Sequence, residues 1–256
     1  PAGKFDAASQ QPEWMLLSYK KPVTASSTAE GSSPALAVNE DCRSWWSAAG
    51  TEPGEWLCVD LGKESDIRAI QVNMADEKLV VDFPADSYGD TRKTRHIETR
   101  PQISHYTIET SVNGADWTIR ETVDRECSNG YFEFADGIRA RYVRVTGGEL
   151  PYGQTLRISG LRVFGNGEGA KPAQAEATGI RVDALDAKII WQHIENAQGC
   201  NVRYGVAPDK LYLSWLVYDA DEVTLSTLTA GQEYYICVDS FNENGITPGK
   251  TFKLEG

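Results

Sequence analysis

WLCVDLGK, residues 56–63, and IRAIQVNM, residues 67–74, decide the fold class. In the first, Leu57, Val59 and Leu61 alternate with Cys58 and Asp60, the two-residue period of a strand with one buried face. Gly62 is expected to end it. In the second, Ile67, Ala69 and Gln71 alternate with Arg68, Ile70 and Val72, which predicts a strand covered along most of its length. Outward from this pair the same pattern recurs. KPVTASST from Lys21 predicts a first strand, after which Ser/Thr richness with Gly31 and Pro34 predicts an irregular loop. HYTIETSVNGADWTIRETV, from His105 to Val123, reads as a hairpin, because Asn113-Gly114 supplies the positive φ angles of a tight turn. YFEF (131–134), ARYVRVTG (140–147) and LRISGLRVFG (156–165) add three strands. About eight strands without a helix-period segment imply a sandwich or barrel.

Composition narrows the partners. The 256 residues carry 25 Lys plus Arg against 37 Asp plus Glu, a formal net charge of −12, so the long-range field repels phosphate backbones and anionic membranes. Nucleic acid is excluded as a partner on that ground. No apolar run reaches the roughly 18 residues of a membrane span, so no membrane insertion is expected. PAGKFDAASQQPEW, at the start, has no charged-then-apolar signal pattern and lacks an initial Met, as expected of a mature or excised piece. The five cysteines at 42, 58, 127, 200 and 237 show no CxxC or metal-finger spacing, and five free thiols are expected.

GNGEGAKPAQAE, residues 165–176, is Gly-rich, polar and Pro-interrupted, the composition of a linker. The expected organisation is therefore an N-terminal extension at 1–13, a larger domain at 14–166, a linker at 167–176 and a smaller domain at 177–256. The smaller one begins a second strand series with AKIIW (187–191), NVRYG (201–205) and EYYICVDSFN (233–242). Leu228, Gly231 and Tyr234 are spaced like a tyrosine corner, in which a Tyr hydroxyl bonds back to the backbone at a sandwich corner.

KPVTASST, AVNEDCRSWWSA, GEWLCVDLG, HYTIETSVNGADW, RYVRVTG and ISGLRVFG, in that order, resemble the discoidin, or coagulation factor 5/8 type C, family, which includes family 32 carbohydrate-binding modules. The likeness runs from about Leu16 to Gly165. It implies a discoidin-type jelly-roll β-sandwich. Trp191, Tyr204, Leu228, Gly231 and Tyr234 resemble the core of a smaller, immunoglobulin-like fibronectin type III sandwich. The order of the two modules is similar to the C-terminal region of modular bacterial family 43-like glycoside hydrolases. That likeness implies a non-catalytic, carbohydrate-binding accessory region of a secreted enzyme, extracellular, periplasmic or on the cell surface, with the catalytic domain upstream. Its partners would be a polysaccharide or oligosaccharide and that catalytic domain. A structural spacer that buttresses the catalytic domain without binding sugar is the alternative.

Discoidin modules often hold one structural calcium in the loop that here reads Ala37 to Ser44. The resemblance makes Ala37, Asn39, Asp41 and Ser44 its candidate ligands, since calcium wants six to eight oxygens. Asn39 stands where the family commonly has Asp, and Gly160 where it often has Glu, which removes negative charge. For sugar, an aromatic face stacks on a pyranose while polar groups fix the hydroxyls. Trp46 is expected in the core and Trp45 at the loop surface, joined by Arg43, Tyr88, Arg95, His96 and Tyr152 on predicted loops. Residues 75–102 form a long, mixed-charge loop read either as a solvated surface or as a docking contact. Enzyme signatures are missing: no GxSxG, HExxH or P-loop occurs, and only three histidines are present.

Overall fold

In the computed structural model, which describes residues 12–77, 79 and 100–256, the chain is all-β. It divides into two compact units, one formed by Leu17–Phe164 and one that contains Gly165–Gly256. Among the described residues no helix is long and apolar enough to cross a membrane.

The strands up to the division are β1 (Met15–Leu16), β2 (Val23–Ala25), β3 (Trp46–Ser47), β4 (Trp56–Met74), β5 (Ser104–Ser111), β6 (Thr118–Arg125), β7 (Asn129–Gly147) and β8 (Arg157–Asn166). They follow the order β8-β4-β7-β5-β6, with β2 paired to β4 and β3 to β8. Leu57, Val59 and Leu61 enter the core together with Trp46, Ile108, Val143, Val145 and Ile158.

Gly62 does not end the strand. It adopts φ +83°, with its N–H donated to Asp60 Oδ1 at 2.8 Å, and β4 runs on for 19 residues. Register against β7 shifts between Asp60 and Ser65 and again between Ile67 and Ala69. An extra residue at a bulge exchanges the two faces of a strand. Ile67 therefore shares the core with Ile70 and Val72, whereas the uninterrupted alternation had set them on opposite faces. Opposite this irregularity, Gly137 of β7 has φ +72°, and a Cβ there would lie 2.4 Å from Asp66 Oδ1. YFEF and ARYVRVTG, expected as two strands, are both contained in β7.

The Asn113-Gly114 hairpin is present, yet its loop spans residues 112–117 and only Gly114 of the pair has positive φ. Asn113 instead accepts the N–H groups of Ala115 and Asp116 on Oδ1, each at 2.9 Å. Its side chain imitates a backbone turn.

In the second unit β9 (Ala177–Arg181), β10 (Ala187–Trp191) and β13 (Glu222–Leu225) form one sheet, ordered β13-β10-β9. β12 (Leu213–Tyr218), β11 (Gly199–Gly205), β14 (Tyr235–Asn242) and β15 (Gly245–Thr247) form the other in that order, with β16 (Phe252–Lys253) also on β14. Ile189, Trp191, Val202, Leu228, Tyr234, Ile236 and Val238 pack between them. Thr229 donates its N–H to the Tyr234 hydroxyl at 3.2 Å, the bond that the corner spacing predicts. Hydrogen bonding from Thr229, by its side chain first and by this N–H second, holds the Tyr234 phenol below its ordinary pKa.

β14 is covered on both faces. Cys237 and Asp239 lie opposite the core side, and Asp239 takes the Arg203 guanidinium on both oxygens and the Gly249 N–H at 2.9 Å. All five cysteines are free.

Candidate functional site

Trp46 opens the two-residue strand β3, and Trp45 lies just before it. β3 pairs antiparallel with β8, Trp46 opposite Ile158 and Ser47 opposite Arg157. Trp46 is fully buried, its indole N–H shared between the Ser27 carbonyl and Thr28 Oγ1, each at 3.2 Å. Trp45, one residue earlier, is half-buried at the wall of a concave pocket of about 460 Å³. Ser32 locks this wall by accepting the Ser47 N–H at 2.9 Å and donating to the Trp45 carbonyl at 3.3 Å. Arg43, Glu30, Glu77 and Arg157 supply the charged lining.

Arg157 is the informative member. Its side chain is only 14% exposed, Glu77 Oε2 lies 3.9 Å from Nε, and among the described residues Nε and Nη1 have no hydrogen-bond partner. Buried donors left unpaired carry a desolvation cost of about 1–3 kcal/mol, more for a charged group. A guanidinium kept in this state beside an open pocket creates a demand for oxygen there. The pocket thus combines an aromatic surface, donors short of acceptors and two carboxylates that accept, within the usual size range of small-ligand sites.

Of the residues expected at a sugar site, Arg43 and Trp45 line this pocket. Tyr152 does not. It sits in the turn Pro151–Gly153 with φ +60°, a conformation uncommon for a residue with a side chain, and is absent from the pocket lining. Tyr88, Arg95 and His96 lie outside the described residues. Sequence reasoning missed Glu30, Ser32, Glu77 and Arg157. Only Arg157 left a signal, as a charge within the strand run LRISGLRVFG, and nothing local said which way it faced.

A larger cavity, about 540 Å³, lies in the second unit beside Arg181, Gln232 and Lys253. Arg181 already donates to the carbonyls of Ala184, Thr229 and Gln232, so its guanidinium serves the fold.

Residues 36–145 match the family model described as F5/8 type C, NedA-like, galactose-binding domain. The matched stretch lies within the first unit, which is discoidin-like. No curated protein matches the chain. Solved structures similar to it include chitosan-binding module 1 from a chitosanase/glucanase of Paenibacillus sp. IK-5, at 22% identity over 59% of this chain and 99% of that one, TM-score 0.45. A fucose-binding module of Streptococcus pneumoniae is similar at 20% identity over 59% of this chain and 94% of that one, TM-score 0.43. CpGH89CBM32-4 of Clostridium perfringens, in complex with GlcNAc-α-1,4-galactose, is similar at 8% identity over 62% and 99%, TM-score 0.45.

The 37–44 loop, where calcium is expected, is crossed by its own hydrogen bonds. Asn39 Oδ1 accepts the Asp41 N–H at 2.9 Å, and Asn39 Nδ2 donates to Ser44 Oγ at 2.8 Å. Ser44 Oγ in turn donates to the Asp41 carbonyl at 3.1 Å, while Asp41 Oδ1 accepts the Arg43 N–H at 2.9 Å. The loop's oxygens are closed upon its own donors, and an amide N–H₂ stands among them. Glu40, the other carboxylate, is turned to Arg162. Among the described residues no three His, Cys, Asp or Glu side chains gather closely enough to hold a metal. Ala37, Asn39, Asp41 and Ser44 as arranged do not fit a calcium ion, which asks for six to eight converging oxygens. Gly160 brings no carboxylate either, and a Cβ there would press on Asn73 Oδ1 at 3.1 Å.

Proposed function

We propose that the discoidin-like domain is a non-catalytic carbohydrate-binding module that seats one sugar residue in the Trp45 pocket. The observation that carries this reading is a half-buried Trp45 beside Arg157, whose Nε and Nη1 have no acceptor among the described residues. A pyranose has an apolar C–H face and an equatorial belt of hydroxyls. The indole takes the face, Arg157 and Arg43 donate to hydroxyl oxygens, and Glu77 and Glu30 accept hydroxyl protons. The matched family's description as galactose-binding supports the same class of ligand.

The second unit then serves as a fibronectin type III-like spacer. Support comes from its two facing sheets, three strands and five, and the Thr229–Tyr234 corner. In this reading the chain belongs to an exported bacterial glycoside hydrolase and raises the local concentration of its catalytic domain on a polysaccharide, where two weak attachments act as one stronger attachment.

Glycan-array screening followed by calorimetric titration of the best saccharide tests this. Trp45→Ala is expected to weaken binding at least about tenfold, since stacking contacts of this kind are central to such sites, while leaving the melting temperature within about 2 °C. No saccharide bound by the intact chain, or equal binding by Trp45→Ala, would sink the proposal.

A further inference from the structure

We propose that Arg162 is a built-in cation that holds the 37–45 loop in position, so that the discoidin-like domain orders this loop without calcium. Glu40 has φ +63°, in the left-handed region that residues with side chains rarely occupy. Such a residue persists only where its surroundings over-determine it. Here they do. Arg162 Nε donates to Glu40 Oε1 at 2.9 Å and Nη2 to Oε2, a fork-to-fork pair joining positions 122 apart in sequence. The remaining arm, Nη1, reaches Gln71 Oε1 on β4 at 3.3 Å, and the guanidinium lies 5.4 Å from the Phe164 ring. One side chain thus ties the loop to β8 and β4.

A calcium ion could link a loop to the sheet by gathering oxygens from both. A guanidinium can make the same link with a permanent charge and a fixed planar geometry. It needs one carboxylate and one amide oxygen rather than six to eight ligands. Glu40 and Gln71 supply them. The side chains that calcium would have used, Asn39, Asp41 and Ser44, are released to close the loop through their own hydrogen bonds. Arg43 and Trp45 follow directly, so Glu40 and Arg162 are positioning residues for the pocket; this last clause alone rests on the sugar reading.

The test uses the full chain, with thermal unfolding and limited trypsin digestion at Arg43–Ser44 read by mass spectrometry, neither of which needs a sugar. For the wild type, millimolar calcium and excess EDTA are expected to give melting temperatures within about 1 °C of each other. Glu40→Gln is expected to lower it by about 3–8 °C and to speed cleavage after Arg43 about tenfold. The swap Glu40→Arg with Arg162→Glu should recover at least half of both losses. If Glu40→Gln does not fold, Arg162→Lys, which keeps the charge and loses the fork, should still show faster cleavage than wild type. A wild type stabilised by calcium by about 3 °C or more, or variants that melt and cleave as wild type does, overturns the proposal. Loss of sugar affinity in Glu40→Gln with unchanged cleavage also overturns it, whereas faster cleavage in a chain that binds no saccharide leaves it standing and removes only the functional reading.

Discussion

The 37–45 loop and the 167–176 segment are both irregular in pattern, with two acidic residues each, and have opposite constructions. Neither alternates apolar with polar residues. The loop's polar side chains serve the loop itself: Asn39, Asp41 and Ser44 bond within it, while Glu40 reaches out to Arg162. The segment spends its backbone. Carbonyls of Ala170, Pro172 and Ala173 accept from Asn242, Asn244, Thr247 and Ser240, and the Gly167 N–H goes to the Glu243 carbonyl at 2.9 Å. Its glycines allow close approach, since a Cβ on Gly167 or Gly169 would come within 2.4 or 2.9 Å of the Asn244 side chain. Ala175 ends it inside the core. A self-closed loop leaves Arg43 and Trp45 free to meet a ligand. A segment served by the side chains of a neighbouring strand is part of the sandwich, even where its composition is that of a tether.

The widest gap between these constructions should appear in thiol chemistry. Cys42 is exposed in the loop, whereas Cys237 lies under cover in β14, where burial pushes its thiol up to about 11. Cys58 and Cys200 are likewise buried, with thiols raised to about 12. Because the thiolate is the nucleophile, alkylation at mildly alkaline pH should label Cys42 at least about a hundredfold faster than Cys237. Peptide mass spectrometry over time measures the ratio. Comparable rates would mean that the cover over β14 opens readily and that the two regions are equally mobile.

A second effect, of about 2–3 kcal/mol, is expected from Asn242→Ala. Its buried amide donates to the carbonyls of Ala170 and Asn196 at 3.0 and 3.1 Å, and its oxygen accepts the Asn244 N–H at 2.8 Å. Removing it takes a partner from three backbone groups at once, of which the Ala170 carbonyl keeps the Asn244 amide. Asn39→Ala, in the partly solvated loop, should cost less, about 1 kcal/mol, because water replaces what is lost. Urea unfolding of both variants sharpens the contrast, and an Asn39→Ala cost equal to or above that of Asn242→Ala would reverse it.

What could be read from sequence follows the range of the forces involved. Alternation is local, so Leu57, Val59 and Leu61 were legible before any partner was known, whereas the Trp45–Trp46 division came from the family resemblance. The bulge near Ile67 was not, because it is set with β7 across the sheet, where Gly137 leaves room for Asp66. Arg157 and Glu77 meet only through folding, 80 positions apart, and neither carries a motif. Asn39 sits in the loop expected to hold calcium, yet its amide direction depends on Ser44 and the Asp41 N–H. For residues 167–176, composition described a chain able to move, while the groups that bind it down lie about 70 residues later.

The smallest expected effect concerns a turn device shared between the loop and a strand. Asp41 accepts the Arg43 N–H two residues on, just as Asp60 accepts the Gly62 N–H where β4 first shifts register. Asp60 in addition takes the Arg141 guanidinium on both oxygens, each at 2.7 Å. Hydrogen bonding from Arg141, helped by the Gly62 N–H, outweighs burial and holds the Asp60 carboxyl below the ordinary carboxylate range. A carboxylate whose folded pKa is depressed adds stability that is present above its unfolded value, about 4, and is lost as pH falls through the lower folded value. Asp60→Asn keeps an oxygen for Gly62 and loses only the ion pair, so the melting temperature should fall by about 1–3 °C at pH 7, the scale of a solvent-screened pair. Below about pH 4 the gap should narrow, and it closes as pH falls through the lower folded value, where the wild-type group gains a proton and gives up the same charge. A gap that stays constant from pH 7 to about pH 3 would place the effect in turn geometry, making Asp60 and Asp41 the same device with no electrostatic part.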